Sequence, residues 1–231
     1  MKIKAILFDL DGTLVDSIRI FPQLIAQEFL DFPSKINIRN YLRRLGYFYN
    51  ADEKYSWFRL ELFRAIRADF QLSIYRFFQG MIRVLWLFWI WDKEVHPFPE
   101  VPQTLRILKE KGYKLGIVTN GSLYLLKKRF KPYLHFFDVL VESKSLGIRK
   151  PSPIPIKYAC YKLKVPKKYI LYVGDTLVDL LAAKNACVQI VLVKTGVFAT
   201  IKNQTYYDIN YHPISTISAV GKELISFLKT L

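Results

Sequence analysis

Five short apolar runs, each stopping on a polar or turn-forming residue, constrain this chain more than anything else in it. Residues 3–10, 114–119, 137–142, 169–173 and 189–193 have strand length, and several are rich in Val and Ile. Helical patterns lie among them at 101–111, 122–130, 155–163 and 177–186, with a last one at 214–228. That alternation predicts a parallel sheet with crossover helices. Open sheets of this kind bind ligands where their strands end, so the residues just after each run are the first candidates for function.

Residues 16–95 are built differently. They hold 12 basic and 9 acidic side chains, nine of the basic ones Arg, and they contain all four Trp (Trp57, Trp86, Trp89, Trp91). The remainder holds 23 basic and 10 acidic side chains, and 20 of those 23 are Lys. Within the segment, Tyr55, Phe58, Leu62, Ile66 and Phe70 recur at steps of three and four, with Asp52 placed as an N-cap. The expected organisation is an α/β core made of residues 1–15 plus 96–231, interrupted by an all-helical domain at 16–95.

The strand ends carry a consistent chemistry. After the first run comes Asp9-Leu10-Asp11-Gly12-Thr13, after the second Thr119-Asn120-Gly121, after the third and a loop Lys150-Pro151, and after the fourth Gly174-Asp175 with Asp179 further on. Each of these dipeptides alone is ordinary turn or cap material. Together they put four carboxylates, a hydroxyl, an amide and a lysine at the same edge of one sheet, which turn formation does not require. Phosphoryl transfer needs an in-line nucleophile, a proton donor for the leaving oxygen and positive charge around the equatorial oxygens. Asp9 is the candidate nucleophile and Asp11 the general acid and base. Crowded carboxylates need a hard cation among them, so Mg²⁺ is expected, with Asp9 and Asp175 as ligands and Asp179 close by or bound through water. Lys150, the Thr119 hydroxyl and Asn120, through side chain or backbone, are the candidate phosphate holders, followed by Gly121. Gly12 and Thr13 are read as a tight turn whose N–H groups approach the phosphate.

On these residues the chain resembles the haloacid dehalogenase superfamily, in its phosphatase branch with a helical cap. The resemblance rests on DLDGTLVDS at 9–17, HPFPEV at 96–101, IVTNG at 117–121, RKP at 149–151 and VGDTLVDL at 173–180. It implies a Rossmann-like core with 16–95 as the cap, an aspartyl-phosphate on Asp9, and Asp11 protonating the leaving group and then activating water. It also implies phosphate binding by Thr119 and Lys150, and Mg²⁺ held by Asp9, the Asp11 carbonyl and Asp175. Relatives that cleave carbon–halogen bonds lack the acid found here at Asp11, which disfavours dehalogenation. Phosphoglycolate phosphatase and β-phosphoglucomutase-like hydrolases are the similar types, and a sugar phosphomutase shares all four motifs. Cys187 stands where relatives place a Gly for left-handed backbone, and Ile154, flanked by Pro153 and Pro155, stands where relatives more often carry an acidic residue that starts a helix.

Charge and composition bound the rest. The formal net charge of +16 attracts anions, so the expected partner is a small phosphorylated metabolite; a basic protein that binds nucleic acid or an acidic partner is the alternative of a different class. Two cysteines, Cys160 and Cys187, imply no disulfide framework, and the start of the chain lacks a signal-peptide pattern, so a cytoplasmic protein is expected. The longest apolar run, 84–91, is too short to cross a bilayer. His96, His135 and His212 show no zinc spacing. The assembly is expected to be a monomer or a homodimer.

Overall fold

The computed structural model describes residues 2–16, 75, 78, 79, 82, 96–121, 127, 130–195 and 215–231. The chain splits into two compact units, Met1–Ser17 with His96–Leu231, and Ile18–Val95. In the second unit Tyr75, Phe78, Gln79 and Ile82 are helical and exposed. The Trp residues, Asp52, the Tyr55 to Phe70 stripe and the arginines at 16–95 lie outside the described residues, as do His212 and all of the helix expected at 122–130 except helical Lys127 and terminal Phe130.

The first unit is built on six parallel strands: β1 (Ala5–Phe8), β2 (Lys114–Thr119), β3 (Val139–Glu142), β4 (Ile170–Gly174), β5 (Gln189–Val193) and β6 (Ser215–Ile217), in the order β3-β2-β1-β4-β5-β6. β1 is buried along its whole length, as a central strand covered on both faces must be. It pairs Phe8 with Ile117 on one side and with Val173 on the other. The chain moves outward from β1 to β2 and β3, then returns to β1's other side at β4. Connections thus leave in opposite directions beside β1, and the crevice this opens at the carboxyl ends is where Asp9 emerges.

Among the described residues, the α-helices beside the sheet include α1 (Val101–Glu110), α2 (Ile154–Leu163), α3 (Leu177–Ala186) and α4 (Lys222–Leu228). α1 buries Val101, Thr104, Leu105 and Leu108, an i, i+3, i+4, i+7 stripe, and ends in Gly112 at φ +80°. α2 buries Pro155, Ile156, Ala159 and Leu163. Those last three join Ala5, Leu7, Val118, Tyr172 and Leu180 in one apolar cluster beneath α2 and α3, which touch each other. α1 touches α4. α3 begins with a capping box between Thr176 and Asp179 and ends at Cys187 in left-handed backbone, φ 55°. A β-carbon is tolerated at this turn, whose N–H groups at Cys187 and Val188 close onto the Lys184 and Ala183 carbonyls.

Three expectations shift. The first strand is Ala5–Phe8 rather than 3–10, because Asp9 and Leu10 already belong to the turn. The third begins at Val139, after a 3₁₀ turn over Lys131–Phe136 uses Phe137 to close onto Leu134. The helix expected over 214–228 is a strand followed by a shorter helix. Ser215–Ile217 covers the exposed edge of β5, which gains more from a ladder than a polar, β-branched triplet gains from helix. The Glu223 carboxylate then accepts the Ser218 N–H, which holds that carboxyl below the usual range.

Candidate active site

Asp9 follows β1 directly and continues its ladder by donating its N–H to the Val173 carbonyl at 2.9 Å. The residue is 8% exposed. Lys150, 2% exposed, arrives from the loop after β3 and donates from Nζ to Asp9 Oδ1 at 2.7 Å, Asp179 Oδ1 at 2.7 Å and the Tyr172 hydroxyl at 3.0 Å. Three donor protons therefore meet three oxygens. Burial pulls the Lys150 ammonium towards the neutral form, but Asp179 and Asp9 overcome it and leave the group firmly charged, above its ordinary value. Burial, reinforced by the Asp179 carboxylate, pushes Asp9 up to about 7 in spite of Lys150.

Asp179 stands in the first turn of α3, entirely buried. Its Oδ1 accepts from Lys150 and from the Tyr172 hydroxyl at 2.9 Å, and its Oδ2 accepts from the N–H and hydroxyl of Thr176. Both oxygens are thus used by protein donors. Asp175, also fully buried, accepts the Thr13 hydroxyl at 3.0 Å. Oxygens of Asp9, Asp175 and Asp179 lie within 4.8 Å of one another. Buried, all-oxygen donors at such spacing fit a hard divalent cation such as Mg²⁺.

Asp11 is not in that carboxylate group. Its Oδ2 is 2.9 Å from where a β-carbon on Gly121 would sit, which places the side chain across the carboxyl end of β2, next to Thr119. The Gly121 N–H donates to the buried Thr119 hydroxyl at 2.9 Å. Asp9, Asp11, Thr119, Lys150, Asp175 and Asp179 therefore all end in one crevice.

Three of the expected phosphate residues, Asn120, Gly12 and Thr13, make hydrogen bonds within the protein. The Asn120 amide grips the Lys150 backbone from both sides, Nδ2 donating to the Lys150 carbonyl at 3.0 Å and Oδ1 accepting the Lys150 N–H at 2.9 Å. Its side chain thereby positions the lysine loop. Gly12, at φ +80°, donates its N–H to Val15 and Thr13 donates to Leu10, so both amides are used in closing the turn.

Tyr172 and Thr195 were not singled out from sequence. Tyr172 hides in an apolar strand, yet burial and the Asp179 and Asp9 charges raise its hydroxyl well above the ordinary range, so it stays protonated as a donor to Asp179. Its signal was a phenol two residues before Gly174, on the same face of β4 by strand alternation. Thr195 donates to the Gly12 carbonyl at 2.7 Å and ties the end of β5 to the Asp11 turn.

Gly174 makes the carboxylate arrangement possible. A β-carbon there would lie 2.6 Å from both Cβ and Cγ of Asp179, so β4 and the first turn of α3 approach closely only without one. Gly174→Ala is expected to destabilise the fold by about 1–3 kcal/mol and to displace Asp179. Urea unfolding read beside turnover checks this, and an unchanged midpoint would contradict the close approach.

The haloacid dehalogenase-like hydrolase family matches residues 3–186. A phosphoglycolate phosphatase of Aquifex aeolicus is 30% identical over 203 residues, 84% of this chain and 85% of that protein. A pyrophosphatase PpaX of Halalkalibacterium halodurans is 30% identical over 200 residues, 84% of each. The crystal structure of an L-2-haloacid dehalogenase shares the fold with a TM-score of 0.73 at 21% identity, over 99% of this chain and 100% of that one.

Proposed function

We propose, from the premise that this chain belongs to the haloacid dehalogenase-like hydrolase family, that it is a Mg²⁺-dependent phosphatase of a small phosphomonoester, working through an aspartyl-phosphate. The observation that carries this reading is the Lys150 ammonium held between Asp9 and Asp179 at the end of the central strand.

Asp9 attacks phosphorus in line, and the bond to the leaving oxygen breaks as that oxygen takes a proton from Asp11. Asp11, now a carboxylate, removes a proton from the water that attacks phosphorus of the Asp9 acyl phosphate, and the bond from phosphorus to the Asp9 oxygen breaks. Phosphate leaves, and both carboxyls return to their starting states. Lys150 and the Thr119 hydroxyl neutralise and orient the equatorial oxygens, and Asn120 keeps the Lys150 backbone in place for that. Asp9 and Asp175 would hold the cation together with the Asp11 carbonyl, while Asp179, with both oxygens engaged, would reach it through water. When bound, the cation supplies charge that keeps Asp9 ionised and shields it from the incoming phosphate. Residues 16–95 are proposed as the cap that selects the substrate. Two relatives named for phosphoglycolate and pyrophosphate put small phosphorylated anions first among candidates, in keeping with the chain's positive charge.

Phosphate release from an aryl phosphate is expected to require added Mg²⁺ and to stop in EDTA. With Asp9 raised to about 7, the metal must displace a proton below that pH, so apparent Mg²⁺ affinity should fall about tenfold per unit of pH below 7 and level off above it. Metal-independent release by pure protein would overturn the reading. Transfer of the phosphoryl group to a sugar phosphate in preference to water would make it a mutase.

A further inference from the structure

We propose that the outer face of α2 and the loop after it form a second binding site, for single-stranded nucleic acid, at the end of the sheet opposite the carboxylate cluster. The first observation is charge. Between Glu142 and Asp175 eight side chains are basic and none is acidic. Among the described residues none of Lys157, Lys162, Lys164, Lys167 and Lys168 forms an ion pair, and all five are exposed. The field over this surface is therefore not cancelled locally.

The second observation is what accompanies the lysines. The exposed stripe of α2 is Ile154, Lys157, Tyr158, Tyr161 and Lys162, at helical steps of three and four, opposite its buried stripe. Tyr161 is 76% exposed, and a solvated helix face has no need of aromatic rings. Lys162 Nζ lies 5.4 Å from the Tyr158 ring centroid, and Lys4 and Lys168 both approach Tyr169, at 4.8 and 4.9 Å. Beside Tyr161 an open depression of about 530 Å³ is lined by Cys160, Tyr161, Lys162, Lys164, Val165 and Pro166. Its lining combines an exposed ring, apolar Val165 and Pro166 and two lysines. Aromatic faces interleaved with lysines suit bases that stack and phosphates that follow. An acidic peptide would use the lysines but not the rings, and a second copy of this basic chain would bring like charge.

Position separates this surface from the active site. α2 leaves the Lys150 loop at the carboxyl end of the sheet and finishes where Lys114, the first residue of β2, donates from Nζ to the Leu163 carbonyl. Ten residues of helix, about 15 Å, lie between the two ends.

The test is fluorescence anisotropy of a labelled oligothymidylate with full-length protein, against inorganic polyphosphate as a competitor that has charge but no bases. Tyr161→Ala is expected to weaken binding roughly fivefold or more. The triple change Lys162→Glu, Lys164→Glu, Lys168→Glu should weaken it further and lower the slope of log affinity against log salt by about 2. Lys111→Glu, Lys222→Glu, Lys229→Glu alters net charge equally on the α1 and α4 side and should cost much less. Aryl phosphate turnover is expected to be unchanged in all three, which also shows that they fold. No binding, equal losses in both triple variants, no effect of Tyr161→Ala, or polyphosphate competing as well as the oligonucleotide at equal charge would each overturn the proposal.

Discussion

Asp9→Asn is expected to reduce phosphate release by about 10⁴-fold or more while leaving the protein folded. Asn keeps the shape of the side chain and an oxygen for Lys150 Nζ, which lies 2.7 Å from Asp9 Oδ1, but it cannot form the acyl phosphate. The variant should also show a stability change of the opposite sign. In the metal-free protein the Asp9 pKa is raised from 3.8 to about 7, so the folded state keeps a proton that the unfolded chain has already released. Stability therefore falls as pH rises from about 4 to 7. An amide has no such cost, so Asp9→Asn should match or exceed wild type in stability above pH 7 without Mg²⁺, and the difference should shrink as pH falls through that window. Urea unfolding across pH, read beside turnover, checks both halves. A folded variant with near-normal release would remove Asp9 as nucleophile. One that fails to fold would show instead that its charge holds the site together.

Lys150→Met carries the second large effect. It removes a buried cation that serves Asp9, Asp179 and Tyr172 together, and leaves two carboxylates facing each other in a dry environment. Taking one partner from a buried ion pair costs about 3–5 kcal/mol, and the same change deletes the charge proposed to bind phosphate. Both stability and turnover should fall. The two roles separate in the double variant Lys150→Met, Asp179→Asn, which relieves the repulsion and should recover much of the stability and none of the activity. Recovery of activity would mean that Lys150 acts only as a structural ion.

Part of the candidate site was legible because Asp9 and Asp175 directly follow β1 and β4 and Thr119 ends β2, so that sequence distance and spatial position coincide there. Asp9, Thr119 and Asp175 needed only the strand ends to be located. What stayed hidden depends on pairings across the chain. Nothing local says that Asn120 will close on the Lys150 backbone, or that Thr195 will reach the Gly12 carbonyl. Tyr172 was masked by the apolar run that contains it, since a buried hydroxyl becomes visible only through its partner Asp179 on α3. The same limit applies to β6. Three residues carry too little period to be read as a strand, and their pairing is decided by the bare edge of β5. The left-handed turn at Cys187, by contrast, belongs to a helix end and was expected there.

That helix end has a practical consequence for anyone attaching something to the protein. α3 starts beside Asp175 and finishes, ten residues later, at Cys187, so an exposed thiol stands about 15 Å from the reacting groups. The other cysteine, Cys160, is half-buried, and burial pushes its thiol up to about 11, so it offers little thiolate near neutral pH. A maleimide dye or resin would thus find Cys187 first, and immobilise or report on the molecule from behind while the crevice at the front remains open to substrate.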